Sequence, residues 1–264
     1  MIQVVASDMP TLPGRGRALL GALAAALVLC LCLALASRWH GERVLAEERQ
    51  ELGESIQAPA RFLSDTITLR VGMLTMLEGF VRNSELVPGH LQERFENFAK
   101  YLHYGSEDVR VLGLAPGGVF RYVYPLAGNE TVLGHDLLHD SRPQVHRDVE
   151  RALATGQVTF SIPYELRQGG LGVVARRALS VDGKFWGLAA VVLDVPALVA
   201  ATPLPNRTDI RFSLAREGRI FYGDADLAEA RPVIATVPLP EGQHWELWAV
   251  PSEGWDGRTA EGRR

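Results

Sequence analysis

The residues best suited to chemistry in this chain are His135-Asp136-Leu137-Leu138-His139-Asp140, with His146 close behind. Imidazoles and carboxylates are the usual ligands of zinc and other transition metals, so the residue types fit a metal site. The spacing argues otherwise. His135 and His139 would share a face only on a helix, whereas Gly134 before them and Ser141-Arg142-Pro143 after them mark a loop or the start of a helix. On the competing reading the histidines are exposed loop residues, and Asp140 or Ser141 caps the helix that follows. The sequence holds no Gly-x-Ser-x-Gly nucleophile elbow, phosphate-binding loop or His-Glu-x-x-His zinc motif, and no motif requires a cofactor. Gln168-Gly169-Gly170-Leu171-Gly172 reads as a hairpin turn rather than a dinucleotide loop, because a strand-like run follows it.

A second group of residues suits binding rather than catalysis. Phe120, Tyr122 and Tyr124 alternate along one strand-like run, and Phe160, Ile162 and Tyr164 along another, so each set is expected to line one wall. Facing helices, such walls are core, the better reading for Phe120, Phe160 and Ile162. Lining a gap, they form a pocket in which the phenols of Tyr122, Tyr124 and Tyr164 bind a ligand. Arg176 and Arg177 fall on opposite faces of a strand, so at most one can point inward, where its guanidinium needs a carboxylate or an anionic ligand.

The elements that must position these groups follow from periodicity. Beyond residue 38, Leu45, Leu52 and Ile56 sit among good helix formers and read as a helical stalk, which Pro59 should interrupt. Phe62, Ile67, Leu69, Leu74, Leu77 and Phe80 continue with helical spacing to an end near Val87-Pro88-Gly89. A third helix runs from His90 to about His103. The period then changes. Val109–Ala115 and Val119–Tyr124 read as a hairpin about Pro116-Gly117-Gly118, and Ser141–Ala154 as a helix stopped by Gly156. Strands are expected near Val158–Leu166, Gly172–Leu179 and Phe185–Asp194. A smaller second sheet is expected from Ile210–Leu214, Arg219–Tyr222, Val233–Leu239 and Trp245–Val250. The fold class is therefore α+β, with helices layered on antiparallel sheets.

Composition sets the outer bounds. Of 264 residues, 47% are apolar and 22% charged, which suits a folded chain, and the net charge of −4 with scattered basic residues offers no footprint for nucleic acid. From Ala18 to Ala36 no residue is charged, a run that matches the thickness of a bilayer. Arg15 and Arg17 just before it place the N-terminus in the cytoplasm and the bulk of the chain outside. The alternative is a cleaved signal peptide, for Ala34-Leu35-Ala36 fits the cleavage pattern, yet secretory cores run to only about 7 to 15 residues. Both cysteines, Cys30 and Cys32, lie inside the run, so no disulfide can staple the exported part.

Several motifs resemble those of one known family. Val111-Leu112-Gly113-Leu114-Ala115-Pro116-Gly117-Gly118-Val119, Tyr124-Pro125-Leu126-Ala127-Gly128-Asn129-Glu130, Gly134-His135-Asp136-Leu137-Leu138, Ala154-Thr155-Gly156 and Phe185-Trp186-Gly187 closely resemble, in order and spacing, the CHASE domain. This is the extracytoplasmic sensor ahead of bacterial histidine kinases and diguanylate cyclases. The resemblance covers roughly residues 60 to 201, and Trp245-Glu246-Leu247-Trp248 with Gly254-Trp255 looks like the segment that commonly follows. It implies a long stalk helix, two PAS-like sheets, small-ligand binding in the membrane-distal one and a homodimer formed through the stalks. It also makes Asp136 a candidate partner for Arg176. A second transmembrane helix and an output domain would lie beyond Arg264. The implied layout is a cytoplasmic tail at 1–17, a transmembrane helix at 18–37, stalk at 38–87, distal sheet at 88–201, proximal sheet at 202–255 and a tail at 256–264. The ligand-binding expectation rests on Tyr122, Tyr124, Asp136, Tyr164 and Arg176, with a periplasmic protein-interaction module or a metal site at His135, His139 and His146 as alternatives.

Overall fold

These periodicities become elements nearly one for one in a computed structural model of the chain, which describes residues 14–85 and 90–255. Helix α1 spans Gly14–Ser55, so helix begins four residues before the expected anchor. The rest of the expected N-terminal tail, the end of the second helix and the tail from 256 lie outside the described residues. Every side chain from 25 to 43 is exposed, and this helix is long and apolar enough to cross a membrane. The chain divides between Glu51 and Leu52 into two units, and both sheets belong to the second, Leu52–Arg258.

Helix α2 spans Gln57–Glu85, with Ile56 as the break between the two helices. Pro59 thus occupies the first turn of α2, where its missing N–H would otherwise have met the carbonyl of Ser55. Around it, Ile56 N donates to Leu52 O and Ala60 N to Ile56 O. Along α2 the residues Ala60, Leu63, Ile67, Leu74, Leu77 and Val81 are buried at spacings of three, four and seven, a single apolar stripe. Helix α3 (Leu91–His103) covers the neighbouring ground with Phe95 and Ala99.

The first sheet is antiparallel in the order β2-β1-β6-β5-β3, with β4 also paired to β5. Its strands are β1 (Val109–Pro116), β2 (Tyr122–Tyr124), β3 (Thr159–Phe160), β4 (Tyr164–Glu165), β5 (Leu171–Val181) and β6 (Lys184–Asp194). Both faces are covered. Leu112, Leu114, Val173, Ala175, Ala189, Val191 and Leu193 join the α2 and α3 core. Val111, Val174, Leu188, Ala190 and Val192 turn to a second core, closed by α4 (Pro143–Thr155) through Val145, Val149 and Ala152. Glycine at 187 lets β6 approach β1, since a Cβ there would stand 2.3 Å from the Ala115 carbonyl oxygen. The β5–β6 turn uses Asp182 at φ 50° and Gly183 at φ 74°, the two positive φ values of a tight hairpin.

A short helix α5 (Val195–Ala200), capped by the Asp194 carboxylate, leads to the second sheet. This sheet has the order β8-β7-β10-β9, from β7 (Ile210–Arg216), β8 (Arg219–Gly223), β9 (Val233–Pro238) and β10 (His244–Pro251). On β9, Val233, Ala235 and Val237 are buried and the residues between them exposed, the alternation of a strand with one face on a core. Leu214, Ala235, Val237, Trp245 and Leu247 share the core to which α2 contributes, so this helix packs on both sheets.

A largely buried ion pair helps fix α2 to the first sheet. Arg70 of α2 grips Asp108, just before β1, through Nε to Oδ2 at 2.9 Å and Nη2 to Oδ1 at 2.9 Å, with both side chains largely buried. Asp108→Ala leaves the guanidinium without its carboxylate and should destabilise the fold by about 3 kcal/mol. Urea unfolding of the full chain in detergent micelles measures this, and an unchanged midpoint would show that the pair is not a structural tie.

Candidate functional site

Strand β5 carries a charge into the interior on each face, and each meets a different environment. Arg177 points toward α2, where its Nη1 donates to Glu78 Oε2 at 3.0 Å. Hydrogen bonds from Arg82 and Arg177 outweigh burial and hold the Glu78 carboxyl below its ordinary range. Arg176 points the other way and is only 3% exposed. Its Nη2 donates to the Tyr164 phenol at 2.9 Å, while Nε and Nη1 have no hydrogen-bond partner. The nearest carboxylate, Asp148 of α4, has Oδ2 3.6 Å from Nη1 and is itself without a hydrogen bond at that oxygen. Burial raises the Asp148 carboxyl above its ordinary value against the pull of Arg176, as befits a pair that desolvation has left imperfectly matched.

Arg176 lines a cavity of about 40 Å³ on the α4 side of the first sheet. Phe120, Val132, Leu137, Leu166, Val174 and Val192 make its apolar wall. The remaining lining is His135, Arg142, Tyr164, Arg167, Gln168 and Arg176. The turn after β4 forms one side and is braced from beneath, because Arg110 Nη2 donates to the Gln168 carbonyl at 2.9 Å. Glycine at 172 lets this turn fold close, since a Cβ there would meet Leu166 at 2.5 Å and the Leu193 carbonyl oxygen at 2.7 Å.

The other side is built by the segment leading into α4. Asp140 accepts from Arg142 through backbone N at 2.8 Å and through Nε at 3.0 Å, and its Oδ2 lies 2.8 Å from His135 Nε2. Burial pushes the Asp140 carboxyl up, but the Arg142 hydrogen bonds and the charges of Arg142 and His135 win and bring it down to about 2. Burial, reinforced by Arg167, lowers the His135 imidazole, which is therefore neutral at pH 7. Its ring lies nearly parallel to Phe120, centroids 6.4 Å apart.

Of the five ligand-binding residues expected from sequence, the structure brings together two, Tyr164 and Arg176. Tyr122 packs against Phe95 of α3 and Tyr124 against His103, on the opposite face of the sheet from the cavity. The expectation that Phe120 shares their face fails because β2 begins only at Tyr122, and the irregular backbone before it turns Phe120 to the cavity. The other aromatic set is likewise divided. Phe160 enters the α2 core, Ile162 is exposed and Tyr164 lines the cavity, because the run breaks into β3 and β4 around Pro163. Asp136 does not pair with Arg176. Its carboxylate closes its own turn, accepting from Leu138 N at 2.9 Å and lying 2.8 Å from His139 Nδ1. Nor do the three histidines meet: His135 faces Asp140, His139 faces Asp136 and His146 faces Glu150. Among the described residues no three such groups stand close enough to hold a metal ion.

Sequence reasoning missed Asp148, Arg142 and Arg167 as parts of the site. Asp148 had a signal, an acid on the buried stripe Val145, Asp148, Val149 and Ala152 of α4. Arg142, expected near a cap, ends α4 at its N-cap position with no side-chain cap, its guanidinium turned to Asp140 and within 5.7 Å of the Tyr164 ring. Arg167 lies in a turn, where nothing in its neighbours forecasts what it faces.

Comparison with known proteins gives a consistent picture. The family model described as "CHASE domain" matches residues 92–226. A search of curated proteins found no match. Among solved structures, the ligand-binding domain of the Pseudomonas aeruginosa amino acid chemoreceptor PctB, in complex with L-Arg, is similar with a TM-score of 0.57 at 16% identity, covering 77% of this chain and 94% of that one. The ligand-binding domain of the Pseudomonas fluorescens chemoreceptor CtaA, in complex with L-leucine, has a TM-score of 0.53 at 16% identity, covering 80% and 96%. An extracellular ligand binding receptor from Desulfohalobium retbaense has a TM-score of 0.50 at 13% identity, with 76% of this chain but only 38% of that receptor covered. These likenesses concern the fold: a long helix followed by two antiparallel sheets of PAS-like type.

The Asp140 pair gives a pH signature. A carboxyl held below its usual 3.8 contributes stability that is present above that value and lost as pH falls through its folded value of about 2. Asp140→Asn should destabilise the full chain by about 2 kcal/mol at pH 7, the worth of hydrogen bonds to a charged group. Denaturant titrations should show the gap between wild type and variant closing from about pH 4 to about pH 2. A gap independent of pH would mean that the ionised carboxylate is not what matters.

Proposed function

This chain belongs to the CHASE domain family, and from that premise we propose that it is the extracytoplasmic ligand-sensing domain of a membrane-bound bacterial signalling protein. The α4-side cavity of the first sheet, the membrane-distal one, takes the small molecule. The observation that carries this reading is the Arg176 guanidinium, buried with two donor atoms unsatisfied against an apolar wall. A buried charge left in that condition is costly, and an occupant supplying acceptors relieves it. Of the expected site residues, Tyr164 and Arg176 are retained, joined by His135, Arg142 and Arg167. The similar structures support the class of function, since the PctB and CtaA domains are in complex with amino acids.

The chain passes the signal through α2, which packs on both sheets and leads back to α1 across Ile56. The apolar run of α1 anchors the protein in the cell membrane, with the sheets on the periplasmic side. Coupling requires that the ligand bind two arrangements of these helices with different affinity. Screening the full chain in detergent micelles by thermal shift against a broad library of small metabolites tests the reading. At least one compound should raise Tm by several degrees, and a library without a single stabilising compound would favour a protein-interaction module instead.

The stalk also supports the homodimer. Phe62, Leu69 and Met76 of α2 are exposed by 44%, 64% and 54% and recur every seven residues, the spacing of a seam between two helices. A second copy of the same helix, presenting the same stripe, is the partner that buries them. Leu69→Glu with Met76→Glu, both surface changes, should convert a dimer to a monomer in analytical ultracentrifugation of the micellar protein. Persistence of the dimer would remove α2 from the interface.

A further inference from the structure

The charge balance of the cavity narrows what it can hold. Three arginines and a histidine line it, and no carboxylate does. Outside the lining, Asp140 serves Arg142 and Asp148 faces Arg176. Arg167, exposed at the mouth, has no ion pair among the described residues. The site therefore carries about one cation more than its carboxylates match, and His135 is neutral at pH 7. An occupant with a single negative charge completes it.

Shape adds a second restriction. The open space is about 40 Å³, where pockets for drug-sized ligands run from about 300 Å³ upward. A water needs roughly 10 to 15 Å³ on such a measure, so only a few non-hydrogen atoms fit as the side chains stand. The lining combines the donors of Arg176, Arg142 and Arg167 with the apolar side chains of Phe120, Val132, Leu137, Val174 and Val192. An occupant that matches it carries an anionic group and hydrocarbon together. Nε and Nη1 of Arg176 have no hydrogen-bond partner and Nη2 spends one of its two hydrogens on Tyr164, so one fork of the planar guanidinium, Nε with Nη2 or Nη1 with Nη2, still suits the two oxygens of a carboxylate. An ammonium on the same small molecule would find three guanidinium groups and no acceptor carboxylate in the lining.

Resting on the sensing function proposed above, we infer that this cavity selects a short-chain monocarboxylate, its carboxylate on Arg176 and its alkyl end against Phe120 and the valines. Propionate, L-alanine and ethylamine share nearly the same size and separate the charges. Isothermal titration of the full chain in detergent micelles should find propionate bound, with L-alanine at least tenfold weaker and ethylamine not bound. Arg167→Ala, a surface change that leaves the core intact, should weaken propionate about tenfold, the worth of one charge-assisted contact. Arg176→Lys should weaken it at least as much, because an ammonium cannot make the paired contact. Tighter binding of L-alanine than of propionate would overturn the monocarboxylate assignment while leaving the sensor intact. Propionate affinity unmoved by both substitutions would overturn the site. If none of the three probes binds while another small metabolite in the library does, the assignment fails and the sensing function stands; if nothing binds at all, both fall.

Discussion

Strand β5 has no solvent face, and that constraint governs the rest of the structure. Helices α2 and α3 cover one side of the first sheet, and α4 with the segment before it covers the other, so the alternation of the strand sorts its side chains between two interiors. Apolar residues at 173, 174, 175 and 179 accept this without cost. Two consecutive arginines do not. Arg177 finds Glu78 on α2 and becomes part of the scaffold, whereas Arg176 finds a phenol, a carboxylate just out of reach and empty space. The same physical demand, to satisfy a buried guanidinium, is met by a structural tie on one face and left incomplete beside a cavity on the other.

Helix α2 is the second consequence. Neither sheet closes its core alone, because each needs an apolar partner over its inner face, and one helix supplies both. Its inner stripe is complete from Ala60 to Val81, with Arg70 and Glu78 flanking it as tethers to Asp108 and Arg177. A shift of the first sheet is therefore also a shift of the helix on which the second sheet rests.

Much of this was legible in the amino-acid sequence, and the exceptions have physical causes. The interruption expected at Pro59, which fell three residues earlier at Ile56, the glycine stop at Gly156 and the turns at Asp182-Gly183 and Glu217-Gly218 were readable, because each depends on local backbone chemistry. The four strands of the second sheet fell where alternation placed them. The aromatic walls did not, since a period of two holds only while a strand stays regular. One irregular turn before Tyr122 and one proline at 163 sufficed to send Phe120 and Tyr164 to one face and Tyr122, Tyr124 and Phe160 to the other. That Arg176 and Arg177 diverge was readable from spacing, but which of them met a carboxylate at hydrogen-bond distance was a tertiary fact. The partner suggested by resemblance, Asp136, is spent on its own turn.

Asp148 shows why the missed residues matter as much as those foreseen. It sits on α4 with Arg176 on one side, and the charge of Arg216, on β7 of the second sheet, also bears on its carboxyl. Burial, reinforced by the charge of Asp148, raises the Glu241 carboxyl, in the turn between β9 and β10, above its ordinary value against the pull of Arg151. A single poorly solvated carboxylate therefore feels both sheets. An anion on Arg176 would place a second negative charge beside it, so the cost of keeping Asp148 ionised depends on whether the cavity is filled.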